Sequence, residues 1–126
     1  MITVLKAKLH RAVVTHAERD YEGSCAIDES LLQMSGIREY EQIHIYNLEN
    51  GDRFSTYAIR AQRESGVVSV NGAAAHRAAP GQRVIICAYR QIEEAKAAGY
   101  QPIVICLDGR NQVSLRKGGV PLPKSA

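Results

Sequence analysis

The chain has 126 residues, 45% of them hydrophobic and 6% aromatic, and sixteen Lys and Arg against thirteen Asp and Glu leave a net charge of +3. That length suits one domain burying about two thirds of its unfolded surface. So mild a charge, with no Trp and one Phe, argues against a nucleic-acid partner. Three cysteines without CxxC spacing argue against a disulfide framework or a zinc site and fit a reducing cytoplasm; with no apolar leader at the N-terminus and no apolar run of membrane length, a cytoplasmic protein without a membrane partner is expected.

Short apolar stretches separated by turn signals predict a mainly β fold with short helices. The first strand runs from Ile2 to about Val14 and carries Lys8 and His10 two residues apart, hence on one face. A short strand follows Ser24. Asp28 then reads as the N-cap of a helix through Leu31, Leu32 and Met34, closed by Gly36. Ile43 and Ile45 alternate with His44 and Tyr46, Glu49-Asn50-Gly51-Asp52 makes a hairpin turn, and 53–60 returns as the partner strand. Val67–Val70 is another strand, stopped by Asn71-Gly72 before the small helical run 73–76. Pro80-Gly81 leads into Val84–Ala88, a continuous apolar run expected to be buried on both faces. A short helix near Glu93–Ala98 precedes a strand at Ile103–Leu107, Asp108-Gly109 turns, and the tail from Lys117 is expected to be irregular. Six or seven short strands favour a closed barrel, because closure removes exposed edges.

The chemically informative bond lies within Tyr21-Glu22-Gly23-Ser24-Cys25-Ala26-Ile27-Asp28. A serine hydroxyl can attack the carbonyl of the preceding residue through a five-membered ring and turn the amide into an ester. Gly23 tolerates the strained backbone this needs and leaves the approach open. Elimination from that ester would leave dehydroalanine, which hydrolyses to a pyruvoyl ketone. Such a ketone forms a Schiff base with an amine and draws electrons as pyridoxal phosphate does. Strain of about 1–3 kcal/mol cannot drive the cleavage alone, so a donor aimed at the developing oxyanion is required, worth about 10²–10³ in rate. Taken by itself, Gly-Ser reads first as a common turn dipeptide between two strands, and only the rest of the chain changes that.

Two further stretches stand out. In a strand at 53–59, Arg53, Ser55 and Tyr57 share one face and Thr56 the other. Arg offers a planar fork for a carboxylate, Tyr is a neutral acid at pH 7, and Thr can donate to an oxyanion; an ordinary amphipathic strand has the same pattern. Ser69-Val70-Asn71-Gly72-Ala73-Ala74-Ala75-His76 ends a strand and opens into small residues, so backbone N–H groups could meet an anion closely, or the alanines could simply pack. Lys8 and His10 could bring charge and a proton relay to a di-acid. His16, His44 and His76 lack metal spacing, and no metal site is expected. Cys25 adjoins Ser24, but free cysteines are usually small buried hydrophobes.

Together these residues resemble the pyruvoyl-dependent aspartate 1-decarboxylase family. The resemblance rests on Lys8-Leu9-His10-Arg11, Val14-Thr15-His16-Ala17, 21–28, Asn50-Gly51, 53–59 and 70–76, and covers most of residues 1–89. It implies a double-psi β-barrel assembled as a homotetramer with sites between subunits, and self-cleavage at Gly23–Ser24 into a β chain (1–23) and an α chain (24–126) capped by a pyruvoyl group made from Ser24. It implies decarboxylation of L-aspartate to β-alanine in pantothenate biosynthesis, with Tyr57 as proton donor and Thr56 serving both processing and substrate. It assigns the backbone of Gly72, Ala73 and Ala74 to substrate, and suits Arg53 and Lys8 to the side-chain carboxylate. His10, Tyr21 and Asn71 line the same neighbourhood. The resemblance leaves room for an accessory maturation protein. Tyr46, where some members place Trp, and Arg77-Ala78-Ala79-Pro80 depart from the pattern at pocket edges. The rival readings are a hydrolase built on Cys25 and a non-enzymatic β-barrel that binds anions or oligonucleotides; both require an intact chain.

Overall fold

In the computed structural model, residues 1–118 are described. Strand β1 (Ile2–Val13) turns Ala7, Leu9 and Ala12 inward, with Lys8 and His10 half-buried between them. It shifts register between Leu5 and Ala7 and again between Leu9 and Ala12, where Arg11 takes φ 64°. Such bulges let a long strand bend around a core. Antiparallel to β1 lies β7 (Arg83–Ile92), and parallel to it β8 (Ile103–Leu107). The other strands are β2 (His16–Glu18), β3 (Ser24–Asp28), β4 (Gln42–Asn47), β5 (Arg53–Ala61), β6 (Val68–Asn71) and β9 (Val113–Lys117). All nine make one sheet in the order β2-β6-β3-β5-β4-β7-β1-β8-β9. Among the described residues none of the helices is long and apolar enough to cross a membrane.

The mainly β class is the one expected, and the sheet is consistent with a double-psi barrel-like fold. Its ends, β2 and β9, are not paired with each other among the described residues, so the expected closure is not made by hydrogen bonds. Two strands had no strong signal. His16-Ala17-Glu18 is too short to alternate and exists by pairing parallel to β6, while β9 lies mostly exposed at the sheet edge. The expected helix at 93–98 is only a 3₁₀ turn, Glu94–Lys96, and the small run after Asn71 is a 3₁₀ turn, Gly72–His76. In the Val84–Ala88 run, Val84, Ile86, Cys87 and Ala88 are buried and Ile85 is partly exposed. The expected irregular tail lies outside the described residues from 119 onward.

The core gathers Leu9, Ile27, Ile43, Ile45, Val68, Val70, Val84, Ile86 and Ile105, all at most 1% exposed. Two buried polar side chains bind its rim together. Asn111 donates to the carbonyls of Val13 and Gly66 and accepts from the Val13 N–H, tying the turn between β8 and β9 to the end of β1. Asp28 caps helix α1 (Glu29–Ser35) as expected, accepting from the N–H and hydroxyl of Ser30, and reaches across to the N–H groups of Glu64 and Gly66. Burial pushes its carboxyl upward, yet those hydrogen bonds together hold it below the usual aspartate range.

Asp28→Ala therefore removes a helix cap, worth about 1 kcal/mol, and strands the buried Gly66 N–H at about 1–3 kcal/mol. A loss of about 3 kcal/mol is expected in denaturant unfolding. Because the folded carboxyl titrates lower than the unfolded one, its contribution is present above the ordinary aspartate pKa and is lost as pH falls toward the folded value. Asp28→Asn should correspondingly flatten the acid limb of stability against pH.

Candidate active site

Strand β3 begins at Ser24 and lies between two neighbours. It runs antiparallel to β6, with Ser24 opposite Asn71, and parallel to β5, with Cys25 opposite Ala58. This pairing brings the end of β6 against the Gly23–Ser24 bond. Ser24 is 1% exposed and has φ 152°, a backbone region almost reserved for glycine. A side-chain-bearing residue held there stores about 1–3 kcal/mol. The Asn71 Nδ2 donates to Ser24 Oγ at 3.2 Å, and Ser69 Oγ donates to Asn71 Oδ1 at 2.9 Å. Asn71 is itself 3% exposed, so these bonds are shielded from water.

Around this bond opens a cleft of about 250 Å³, lined by Gly23, Phe54, Ser55, Thr56, Asn71, Ala73, Ala74 and Arg77. Thr56, on the inward-alternating side of β5, thus lies in the same cleft as the scissile candidate. The alanines of the 3₁₀ turn leave the space open. Gly72 permits the close approach: it has φ +66°, and a Cβ there would sit 2.8 Å from Gly23 Cα, 3.0 Å from its N and 3.2 Å from the Tyr21 carbonyl oxygen. All three are backbone atoms that cannot swing aside. Gly72→Ala should cost at least about 2 kcal/mol, from overpacking and left-handed strain together. It should also slow any reaction at Gly23–Ser24. Chemical denaturation alongside gel analysis of chain length checks both; a variant as stable as the parent would refute the packing argument.

The structure does not bring every expected residue into this cleft. Arg53 and Tyr57 are absent from its lining. They stand on the exposed surface of β5, Tyr57 being 39% exposed. Registry carries Lys8 across Cys87 and His44 to Ser55, so Lys8, Arg53 and Tyr57 belong to one outer surface of β1-β7-β4-β5. Arg53 stacks 4.1 Å over the Tyr46 ring, whose hydroxyl meets that of Tyr89 at 2.7 Å. That bond, with burial, pushes the Tyr89 hydroxyl's pKa up. His10 is held below its ordinary value by burial and by the charges of Lys8 and Arg11. Tyr21 is 59% exposed beside the cleft, with its carbonyl oxygen facing Gly72.

Cys25 is fully buried, and desolvation pushes its thiol up to about 12. At neutral pH it is a protonated core side chain, which removes the physical basis for a Cys25 hydrolase. No group of three His, Cys, Asp or Glu that could hold a metal occurs among the described residues. Sequence reasoning quoted Ser69 without giving it a role, and it is Ser69 behind Asn71 that the structure adds. Ser69 shares a strand face with Asn71 by simple alternation, a signal that was readable. Arg77, expected at a pocket edge, is the charged member of the lining and pairs with Asp52 at 3.7 Å.

The family model described as aspartate decarboxylase matches residues 1–114. The chain is 58% identical over 121 residues to the aspartate 1-decarboxylase of Nitrosococcus oceani, covering 96% of each. It is 55% identical over 120 residues to that of Hydrogenovibrio crunogenus, covering 95% of this chain and 93% of the other. With that of Pseudomonas aeruginosa (strain LESB58) it shares 59% over 119 residues, 94% of each.

Proposed function

The chain belongs to the aspartate decarboxylase family of enzymes, and from that premise we propose that it converts L-aspartate to β-alanine and CO₂ in the cytoplasmic supply of pantothenate, after cutting itself at Gly23–Ser24. The observation that carries this reading is Ser24: buried, held at φ 152°, hydrogen-bonded through Oγ to Asn71, and joined to Gly23, which with Asn71 lines a small cleft. Ser24 Oγ attacks the Gly23 carbonyl carbon, the C–N bond breaks, and the hydroxyl proton ends on the freed nitrogen. Loss of the Ser24 Cα proton with rupture of Cβ–Oγ leaves a carboxylate on Gly23 and dehydroalanine at residue 24. Water then replaces its nitrogen, releasing ammonia and leaving a pyruvoyl terminus. Thr56, in the same cleft, is suited to donate to the oxyanion of the first step.

The cleft suits such a group, because Gly72 lets the Gly23 backbone pack close against it and the small Ala73 and Ala74 keep the approach clear. The keto group supplies a carbonyl that condenses with an amine and withdraws electrons from the bond to be broken. The rest falls to side chains. Arg53 and Lys8 hold the side-chain carboxylate of aspartate, leaving the α-carboxylate poorly stabilised and directed to loss. Tyr57 delivers a proton to the carbon that CO₂ leaves. His10, Tyr21 and Asn71 complete the surroundings. Arg53, Lys8 and Tyr57 occupy the outer sheet surface while Ser24 is buried beside the cleft, so in this scheme a neighbouring subunit brings the two together, as composite sites of a homotetramer would. An accessory protein that hastens cleavage is compatible with this scheme.

Steady-state release of CO₂ tests the substrate assignment. Glutamate misplaces its α-carboxylate by one methylene, a penalty of about 1–3 kcal/mol. Aspartate should therefore be preferred by about 10- to 200-fold in kcat/KM. Equal turnover of the two would contradict the carboxylate-holding role of Arg53 and Lys8.

A further inference from the structure

The three-member chain Ser69–Asn71–Ser24 contains a residue that the reaction scheme leaves unused. Ser69 is 8% exposed and two positions before Asn71 on the same face of β6, so its hydroxyl lies directly behind the carboxamide. It donates to Asn71 Oδ1 at 2.9 Å, and Asn71 Nδ2 donates to Ser24 Oγ at 3.2 Å. With Oδ1 engaged by Ser69, the end of the amide facing Ser24 is a donor. A donor cannot accept the serine proton, so Asn71 is not the base for the attack on Gly23. A donor does stabilise negative charge growing on Oγ, which happens when the Cβ–Oγ bond breaks and the electron pair leaves with the new Gly23 carboxylate.

We propose that Ser69 is a positioning residue for self-cleavage, acting through Asn71 by holding its carboxamide so that Nδ2 stays on Ser24 Oγ. The inference rests on the self-cleavage reading above and deepens it. A side-chain amide on a strand has free χ torsions, and in a buried site its alternatives leave a polar end unsatisfied. Ser69 removes that choice before the reaction begins.

Freshly made wild-type chain and variants are followed by gel and intact mass for the first-order appearance of fragments 1–23 and 24–126. Ser69→Ala should cleave about five- to tenfold more slowly, the worth of one net hydrogen bond. Asn71→Ala should be slower by about 10². Adding Ser69→Ala to Asn71→Ala should change the rate by less than about twofold, because the route through Asn71 is already gone. Ser69→Cys preserves the volume and so the fold but offers a weak donor; it should resemble Ser69→Ala. Wild-type cleavage with an unchanged rate in Ser69→Cys or Ser69→Ala overturns the positioning role alone. So does an equal Ser69→Ala effect in both backgrounds, which would mark a general packing effect. A wild-type chain that never cleaves overturns the self-cleavage reading itself.

Discussion

Ser24→Ala should yield one continuous chain of 126 residues with no decarboxylase activity. The reason is chemical: alanine has no oxygen to attack Gly23, and no leaving oxygen for the elimination that follows. The fold should survive. Among the described residues Ser24 Oγ has one side-chain partner, Asn71 Nδ2, and losing it leaves a buried donor unsatisfied at about 1–3 kcal/mol. The strained φ of residue 24 is unchanged by the substitution, so no relief or new clash arises there. Gel analysis, intact mass and thermal unfolding of the purified variant check the three parts separately. Fragments 1–23 and 24–126 from Ser24→Ala would mean that another nucleophile or a protease cuts the chain. Cys25 is a poor substitute, because it is fully buried with its thiol raised to about 12.

Tyr57→Phe should separate the two halves of the scheme. Tyr57 is not among the residues that line the cleft at Gly23, so cleavage should proceed at the parental rate. Turnover should fall by about 10²–10⁴, the usual worth of a positioned proton donor. Because the interaction is made in the transition state, kcat and kcat/KM should fall together, with KM little changed. Complete fragments with normal turnover would remove Tyr57 from the donor role. Failure to cleave would instead place Tyr57 in processing, contrary to its position on the outer face of β5.

Much of the local structure was legible because single residues enforce it. Asp28 and Gly36 mark the two ends of α1, and Gly36 adopts φ 77° as a left-handed terminator. The alternation Ile43, Ile45 against His44, Tyr46 gave β4, and Asn50-Gly51 its turn into β5. What escaped depends on long-range pairing. His16–Glu18 becomes a strand only because β6 lies alongside, and Asn111 is a buried clamp only because Val13 and Gly66 meet it from far away in sequence. At the site, the alternation of 53–57 foretold that Thr56 and Tyr57 point apart. The meeting of Thr56 with Gly23 and Asn71 followed only once β5 and β6 were seen flanking β3. Ser69 was in plain view, but its partner bond depends on Asn71 turning inward at the strand end.

The most direct measurement is the intact mass of purified wild-type protein after incubation, with and without borohydride in the presence of L-aspartate. The self-cleavage account predicts two polypeptides split between residues 23 and 24. The larger should lack a free amino terminus, carry the mass of a keto acid in place of Ser24, and gain the substrate-derived adduct on reduction. A single uncut polypeptide, with a serine at position 24 and no borohydride-trapped adduct under any condition, would contradict it.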